Sequence, residues 1–84
     1  MKHTIKIESV YFKQVLSGEK CFEVRYNDRG YQKGDSVTLM EKSTLNGMTT
    51  GRQVEVEIIY IHSGYGLKEG FVILGIERLD DLKD

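Results

Sequence analysis

Gly18-Glu19-Lys20-Cys21-Phe22-Glu23-Val24-Arg25 sets a helix-stopping glycine directly before a short strand whose two faces differ in chemistry. Strand side chains project alternately to opposite faces. Cys21, Glu23 and Arg25 therefore share one face, and Phe22 and Val24 share the other with Lys20. Lys20 stands at the strand's entrance, where a long side chain can curl over the rim. The stretch predicts an element boundary at Gly18 and a compact group of charges beside a surface that buries aromatics.

Toward the N-terminus, His3, Ile5 and Ile7 alternate with Lys2, Thr4 and Lys6, which predicts a first strand over His3–Ile7. Ser9 is placed to cap a helix over Val10–Ser17, with Phe12, Val15 and Leu16 as its buried stripe and Gly18 as its left-handed stop. The second strand is Lys20–Tyr26. Toward the C-terminus, Asn27–Asp35 is a long polar turn containing Gly30 and Gly34. Ser36–Lys42 is a third strand, with Val37, Leu39 and Glu41 alternating against Thr38, Met40 and Lys42. Ser43–Gly51 is a hairpin loop around Asn46-Gly47.

Arg52–His62 is the longest strand. Val54, Val56 and Ile58 face one way, and the pattern turns apolar on both sides near Ile58–Ile61. That change predicts passage from a half-exposed edge into a fully covered region. Gly64–Gly70 is a glycine-rich connection with one helical turn at Leu67–Glu69. Phe71–Leu79 closes the fold, with Gly75 marking a bulge or a close backbone approach, and Asp80–Asp84 is a frayed tail. Five short strands, one early helix and no repeated crossover predict a mainly β, α+β fold with one or two short helices. Its sheet is mainly antiparallel and curls into a barrel.

A chain of 84 residues has room for one domain, spanning 1–84, with a single core. The balance of 39% hydrophobic and 30% charged residues is that of a folded globular protein. There is no apolar run of membrane length and no apolar signal-peptide core at the start. The lone Cys21 has no disulfide partner, and no cysteine–histidine spacing suits zinc. A reduced, cytoplasmic monomer without metal or cofactor is expected. The net charge of −1 hides an asymmetry: residues 1–33 carry seven Lys/Arg against four Asp/Glu, the remainder five against nine. That balance excludes a general nucleic-acid coater, whose affinity comes from neutralising phosphates. It leaves a local basic groove, or ordinary solvated charge, in the first half.

Gly18-x-Lys20-x-x-Glu23-x-Arg25 matches the G-x-K-x-x-E-x-R signature of ASCH domains, small β-barrels of the PUA-like superfamily. His3-Thr4-Ile5-Lys6-Ile7, Tyr11-Phe12, Asn27-Asp28-Arg29, Gly34-Asp35, Thr50-Gly51, Tyr60 and Gly66-Leu67-Lys68-Glu69-Gly70 extend the likeness over nearly the whole chain. They resemble a small ASCH-related family of unknown function found in bacteria and their phages. The resemblance implies a five- to six-stranded PUA-like barrel with a cleft between barrel and helix, lined by the signature residues. It also implies RNA or a modified nucleoside or nucleotide as ligand, and a role in RNA metabolism. Some ASCH proteins resemble amidohydrolases that deacetylate N4-acetylcytidine, with a lysine at the position of Lys20, a threonine at that of Glu23 and a later glutamate. This chain departs at Glu23. It also lacks the long segment that brings the later glutamate, for which Glu69 is a loose stand-in.

Three functions follow as expectations. In the first, a cleft holds RNA or a nucleotide: Lys20 and Arg25 supply positive charge, Glu23 accepts from a base amino group, and Arg29 and Tyr31 stand at the rim. Arginine's planar fork suits a phosphate or a base edge. In the second, an amidohydrolase acts on an acylated nucleobase through Lys20, with Glu23 or Glu69 handling protons. In the third, a protein-interaction barrel recruits a partner through exposed strand edges. Each residue also has a plainer reading. Lys20 can be a solvated strand-end lysine, and Glu23–Arg25 an ion pair in the barrel wall. Asn27 and Asp28 read as turn-formers, and Tyr26 and Tyr31 either stack on bases or sit in the core. Cys21 is either a thiolate activated by Arg25 or a buried, inert thiol. Tyr65 either lids the cleft or merely serves the turn. His3 and His62 pair with no nucleophile, and Ser9 and Ser17 read as helix-end residues.

Overall fold

Alternation of apolar and polar side chains organises the molecule, whose computed structural model describes residues 1–79. The element order is β1 (Lys2–Glu8), α1 (Ser9–Ser17), β2 (Phe22–Tyr26), β3 (Ser36–Lys42), β4 (Thr49–Ser63) and β5 (Phe71–Arg78). The strands form one sheet in the order β1-β3-β4-β5-β2. β1 runs parallel to β3, and every other pairing is antiparallel. α1 thus carries the chain from one edge strand to the other, and the sheet curls between them into a half-barrel. The expected mainly β, α+β architecture is what forms.

The inner face is built by alternation. Ile5 and Ile7 of β1, Val37 and Leu39 of β3, Val54, Val56 and Ile58 of β4, and Val72, Leu74 and Ile76 of β5 are all buried, together with Phe12 and Val15 of α1. Fully burying an aliphatic side chain of this kind is worth about 1.5–3 kcal/mol, so this face drives the curl. Gly18 ends α1 as expected, with φ 85° and its N–H donating to the Val15 carbonyl at 3.1 Å. The helix begins one residue early. Ser9 is its first residue rather than its cap, because its hydroxyl donates to the Glu41 carboxylate on β3.

Several expectations are corrected by the packing. β2 starts at Phe22, since Lys20 still donates its backbone N–H to Gln14 at the helix end. Phe22 and Val24, expected to be buried, are each 44% exposed, while Glu23 and Arg25 take the inner face. The apolar stretch of β4 is not fully covered: Ile59 and Tyr60 are exposed. Pairing slips there from Ile58↔Ile76 to Tyr60↔Gly75, so Ile59 is an extra, bulged residue. The bulge resets the alternation, which lets Ile61 pack against the core opposite Leu74. Gly75 allows the close approach there, as a Cβ would lie 3.1 Å from the Tyr60 Cβ. The segment 64–70 contains two turns, closed by Leu67 N–H to Gly64 O and Phe71 N–H to Lys68 O, in place of a helical turn. The tail expected at 80–84 lies outside the described residues. Among the described residues, no helix is long and apolar enough to cross a membrane.

Two buried carboxylates tie the half-barrel at its ends. Asp35 accepts from the His3 imidazole at 2.8 Å, the terminal ammonium at 3.0 Å and the Gln32 N–H at 3.0 Å. The His3 and ammonium hydrogen bonds lower its pKa to about 2, against the opposing effect of burial. Glu41 accepts from Ser9 and from Thr50 at 2.7 Å, with Arg52 3.7 Å away. The two hydroxyl donors pull its pKa down, with Arg52 adding to the effect. Its charge also faces the first turn of α1, where the helix dipole favours an anion.

Candidate functional site

β2 turns only charged side chains inward, where β3 adds a single one, Glu41, to an otherwise aliphatic row. Strands β4 and β5 bury aliphatic residues alone, and β1 and β3 bury aliphatic residues with His3 and Glu41 at one end; β2 places Glu23 and Arg25 on the inner face. Burial of an ion costs several kcal/mol unless its partners restore what water supplied, and here they do. Glu23 Oε1 accepts from Lys20 Nζ at 2.7 Å, and Oε2 accepts from Arg25 Nε at 2.9 Å and Nη2 at 2.8 Å. A carboxylate offers about four lone-pair sites, so three are occupied by these two cations. Glu23 serves first to orient Lys20 and Arg25, with little left for a base amino group.

Lys20 reaches this position because α1 ends at Gly18 and the chain turns back under the helix. Its ammonium also donates to the Phe22 carbonyl at 2.7 Å and lies over the rings of Phe22 and Tyr11, at 4.8 Å and 5.3 Å. Cation–ring contacts of this kind favour a desolvated ammonium held in place. Arg25 Nη2 donates to the Lys6 carbonyl at 2.6 Å, and Arg29 Nη1 to the Thr4 carbonyl at 2.7 Å. Those carbonyls lie on the free edge of β1. The two arginines therefore stitch β1 to β2 and to the turn that follows it, bridging by side chains the half-barrel that the backbone leaves open. Arg29, which had no structural duty in the sequence reading, has one here and is still half exposed. Arg25 Nη1 has no partner among the described residues.

A cleft of about 390 Å³ opens along this seam, lined by Lys6, Ile7, Glu8, Tyr11, Glu23, Val24, Arg25, Tyr26, Lys42 and Phe71. A hollow of about 310 Å³ adjoins it over Lys20, sharing Tyr11, Glu23 and Val24. Lys42 pairs with Glu8 at 3.2 Å, and Lys6 has no ion partner among the described residues. The Lys20–Glu23–Arg25 cluster carries one net positive charge, so the cleft is cationic, with aromatic walls at Tyr11, Tyr26 and Phe71.

The structure brings together Lys20, Glu23 and Arg25, and places Arg29 at the seam. Tyr31, expected at the rim, is instead 5% exposed, edge-on to His3 at 4.8 Å, and its burial raises its pKa. Tyr26, which the sequence left either stacking on a base or in the core, is 56% exposed and lines the cleft. Asn27 accepts the Tyr31 N–H at 3.0 Å, as a turn-former does. Cys21 is exposed rather than buried, and Tyr65 is 96% exposed and lines no part of the cleft. Glu69 lies in a separate groove beyond Tyr26 and Phe71, away from Lys20. His3 is taken up by Asp35. No group of His, Cys, Asp and Glu suited to a metal occurs among the described residues. Lys6, Tyr11, Lys42 and Phe71 line the cleft although the sequence did not suggest them as site residues. Nothing local marks them, because it is the approach of β1 to β2 that gathers them.

A family model described as a domain of unknown function (DUF3850) matches residues 2–76. The chain is also 38% identical over 72 residues to an uncharacterized 12.9 kDa protein in the GpA 3′ region of Escherichia phage P2. That alignment covers 86% of this chain and 64% of the phage protein.

Proposed function

The chain belongs to the DUF3850 family, and we propose that its seam cleft binds RNA or a nucleotide-like ligand. The observation that carries this reading is the inversion of β2. Closing the seam needs Arg25 on the β1 carbonyl, but it does not need a second cation: Glu23 orients Lys20 as well, beside an open cleft, and that arrangement supports a use beyond packing. Arg25 Nη1 and Lys6 present positive charge to a phosphate, while Tyr11 and Tyr26 offer ring faces to a base. A volume of about 390 Å³ falls within the range of roughly 300–1,000 Å³ of small-molecule sites.

The amidohydrolase alternative finds less support. Lys20 is held by Glu23 and a carbonyl, and Glu69 sits in another groove, so no second carboxylate meets it. A cleft filled by side chains would have favoured the protein-interaction alternative, and the seam cleft is open.

Titration of the protein with uridine 5′-monophosphate and short single-stranded RNAs, followed by amide NMR, tests the proposal. Amides of 6–11 and 20–29 should shift, and Lys6→Glu, an exposed substitution, should weaken binding. Unmoved amides at millimolar ligand refute the proposal for these ligands.

A further inference from the structure

A second groove adjoins the seam cleft at Tyr26 and Phe71. It has a volume of about 630 Å³, and its walls include Asn27, Ser63, Leu67, Lys68 and Glu69 from the β2 end and the β4–β5 loop. Tyr26 and Phe71 line both this groove and the seam cleft, so the two adjoin at this aromatic pair. The Tyr26 ring is held in place although more than half exposed. Phe71 meets it edge-on at 5.4 Å and 75°. Gly70 lies so close beneath it that a Cβ there would come within 2.5 Å of its Cε1. An exposed aromatic fixed in advance loses little side-chain entropy when something stacks on it.

Charge repeats on both sides of the ring. Lys6 and Arg25 Nη1 lie on the seam side, and Lys68 on the loop side; neither lysine has an ion partner among the described residues. Cation, aromatic face, cation is the sequence of contacts that a phosphate, a base and the next phosphate demand. We infer that the ligand is a single-stranded oligonucleotide rather than a mononucleotide, threaded past Tyr26 with one base on its ring and the following phosphate at Lys68. This inference rests on the nucleotide reading of the seam cleft. Asn27, Ser63 and Glu69 then offer donors and acceptors to the next base.

The test compares uridine 5′-monophosphate, the dinucleotide UpU and a uridine tetranucleotide by amide NMR and by competition against a labelled tetranucleotide. All three should shift amides of 6–11 and 20–29, and the two longer probes should also shift those of 64–70. The tetranucleotide should bind at least about tenfold more tightly than the mononucleotide, since one stacked base is worth roughly that much. Tyr26→Ala should remove most of the gain. Lys68→Glu, on an exposed side chain that does not threaten folding, should weaken the tetranucleotide and leave the mononucleotide unchanged. It should also flatten the salt dependence by about 0.7 in log K per log salt, the contribution of one single-strand phosphate. Equal affinities for all three probes, with amides 64–70 unmoved, overturn the inference while leaving the seam cleft as a nucleotide site. Absence of binding by every probe overturns both.

Discussion

Replacing Glu23 with alanine tests whether one carboxylate holds the cleft together. Three charge-assisted hydrogen bonds of 2.7–2.9 Å converge on this side chain, which is 9% exposed. Removing one member of a buried charge cluster costs about 3–5 kcal/mol, mostly because its partners stay desolvated and unpaired. Lys20 and Arg25 border an open cleft, however, and water can reach them once the carboxylate is gone. The expected loss is therefore smaller, roughly 2–3 kcal/mol. In a domain of this size each kcal/mol moves the melting temperature by about 4–8 °C, so a fall of roughly 10–20 °C is expected. Urea and thermal unfolding followed by circular dichroism measure it. Glu23→Gln keeps an acceptor of the same shape and should lose less. Double-mutant cycles with Lys20→Met and Arg25→Met should show the larger coupling for Arg25, which makes two of the three bonds and carries the seam to Lys6. A loss below about 0.5 kcal/mol, the scale of an ordinary surface substitution, would refute the idea that Glu23 organises the site.

Acid should unfold the protein through its carboxylates. Asp35 has a folded pKa of about 2 against 3.8 in the unfolded chain, and Glu41 is displaced in the same direction. Their contribution is complete above the unfolded values and is lost as pH falls toward 2; urea midpoints between pH 5 and 2 should decline, and Asp35→Asn should flatten the decline. At the alkaline end the sign reverses, because burial raises the Tyr31 phenol above its ordinary value. Stability should fall as pH rises past 10, and Tyr31→Phe should remove the latest step in an ultraviolet phenolate titration. Gly70→Ala forces a side chain at φ 90° into contact with the Tyr26 ring; a loss of about 1–3 kcal/mol is expected, together with shifted Tyr26 ring resonances. An unchanged Tyr26 spectrum would contradict the view that Gly70 sets its orientation.

Much of the fold was legible because its signals are local. Period-two alternation marks β1 and β3 almost to the residue, and the αL preference of Gly18 ends α1 where expected. Gly75 was readable as a tight spot, though its partner Tyr60 was not. The site was legible in part: Lys20, Glu23 and Arg25 do converge. Tyr31 and Arg29 were harder to place, since their surroundings come from His3 and Thr4, distant in the chain. The start of α1 was displaced by Glu41, a side chain 32 residues away from Ser9. Ile59 was read as covered because a bulge leaves no mark in a run of apolar residues.

By itself the sequence determined that Glu23 and Arg25 share one face of a short strand and Phe22 and Val24 the other. Alternation is a property of the extended backbone and needs no partner. Which face turns inward was decided only by the tertiary structure. A strand at the open edge of a curled sheet must meet the free carbonyls of β1, and guanidinium groups satisfy those carbonyls where aliphatic side chains cannot. That requirement buries Glu23 with its two cations, leaves Phe22 and Val24 outside, and opens the cleft at the seam.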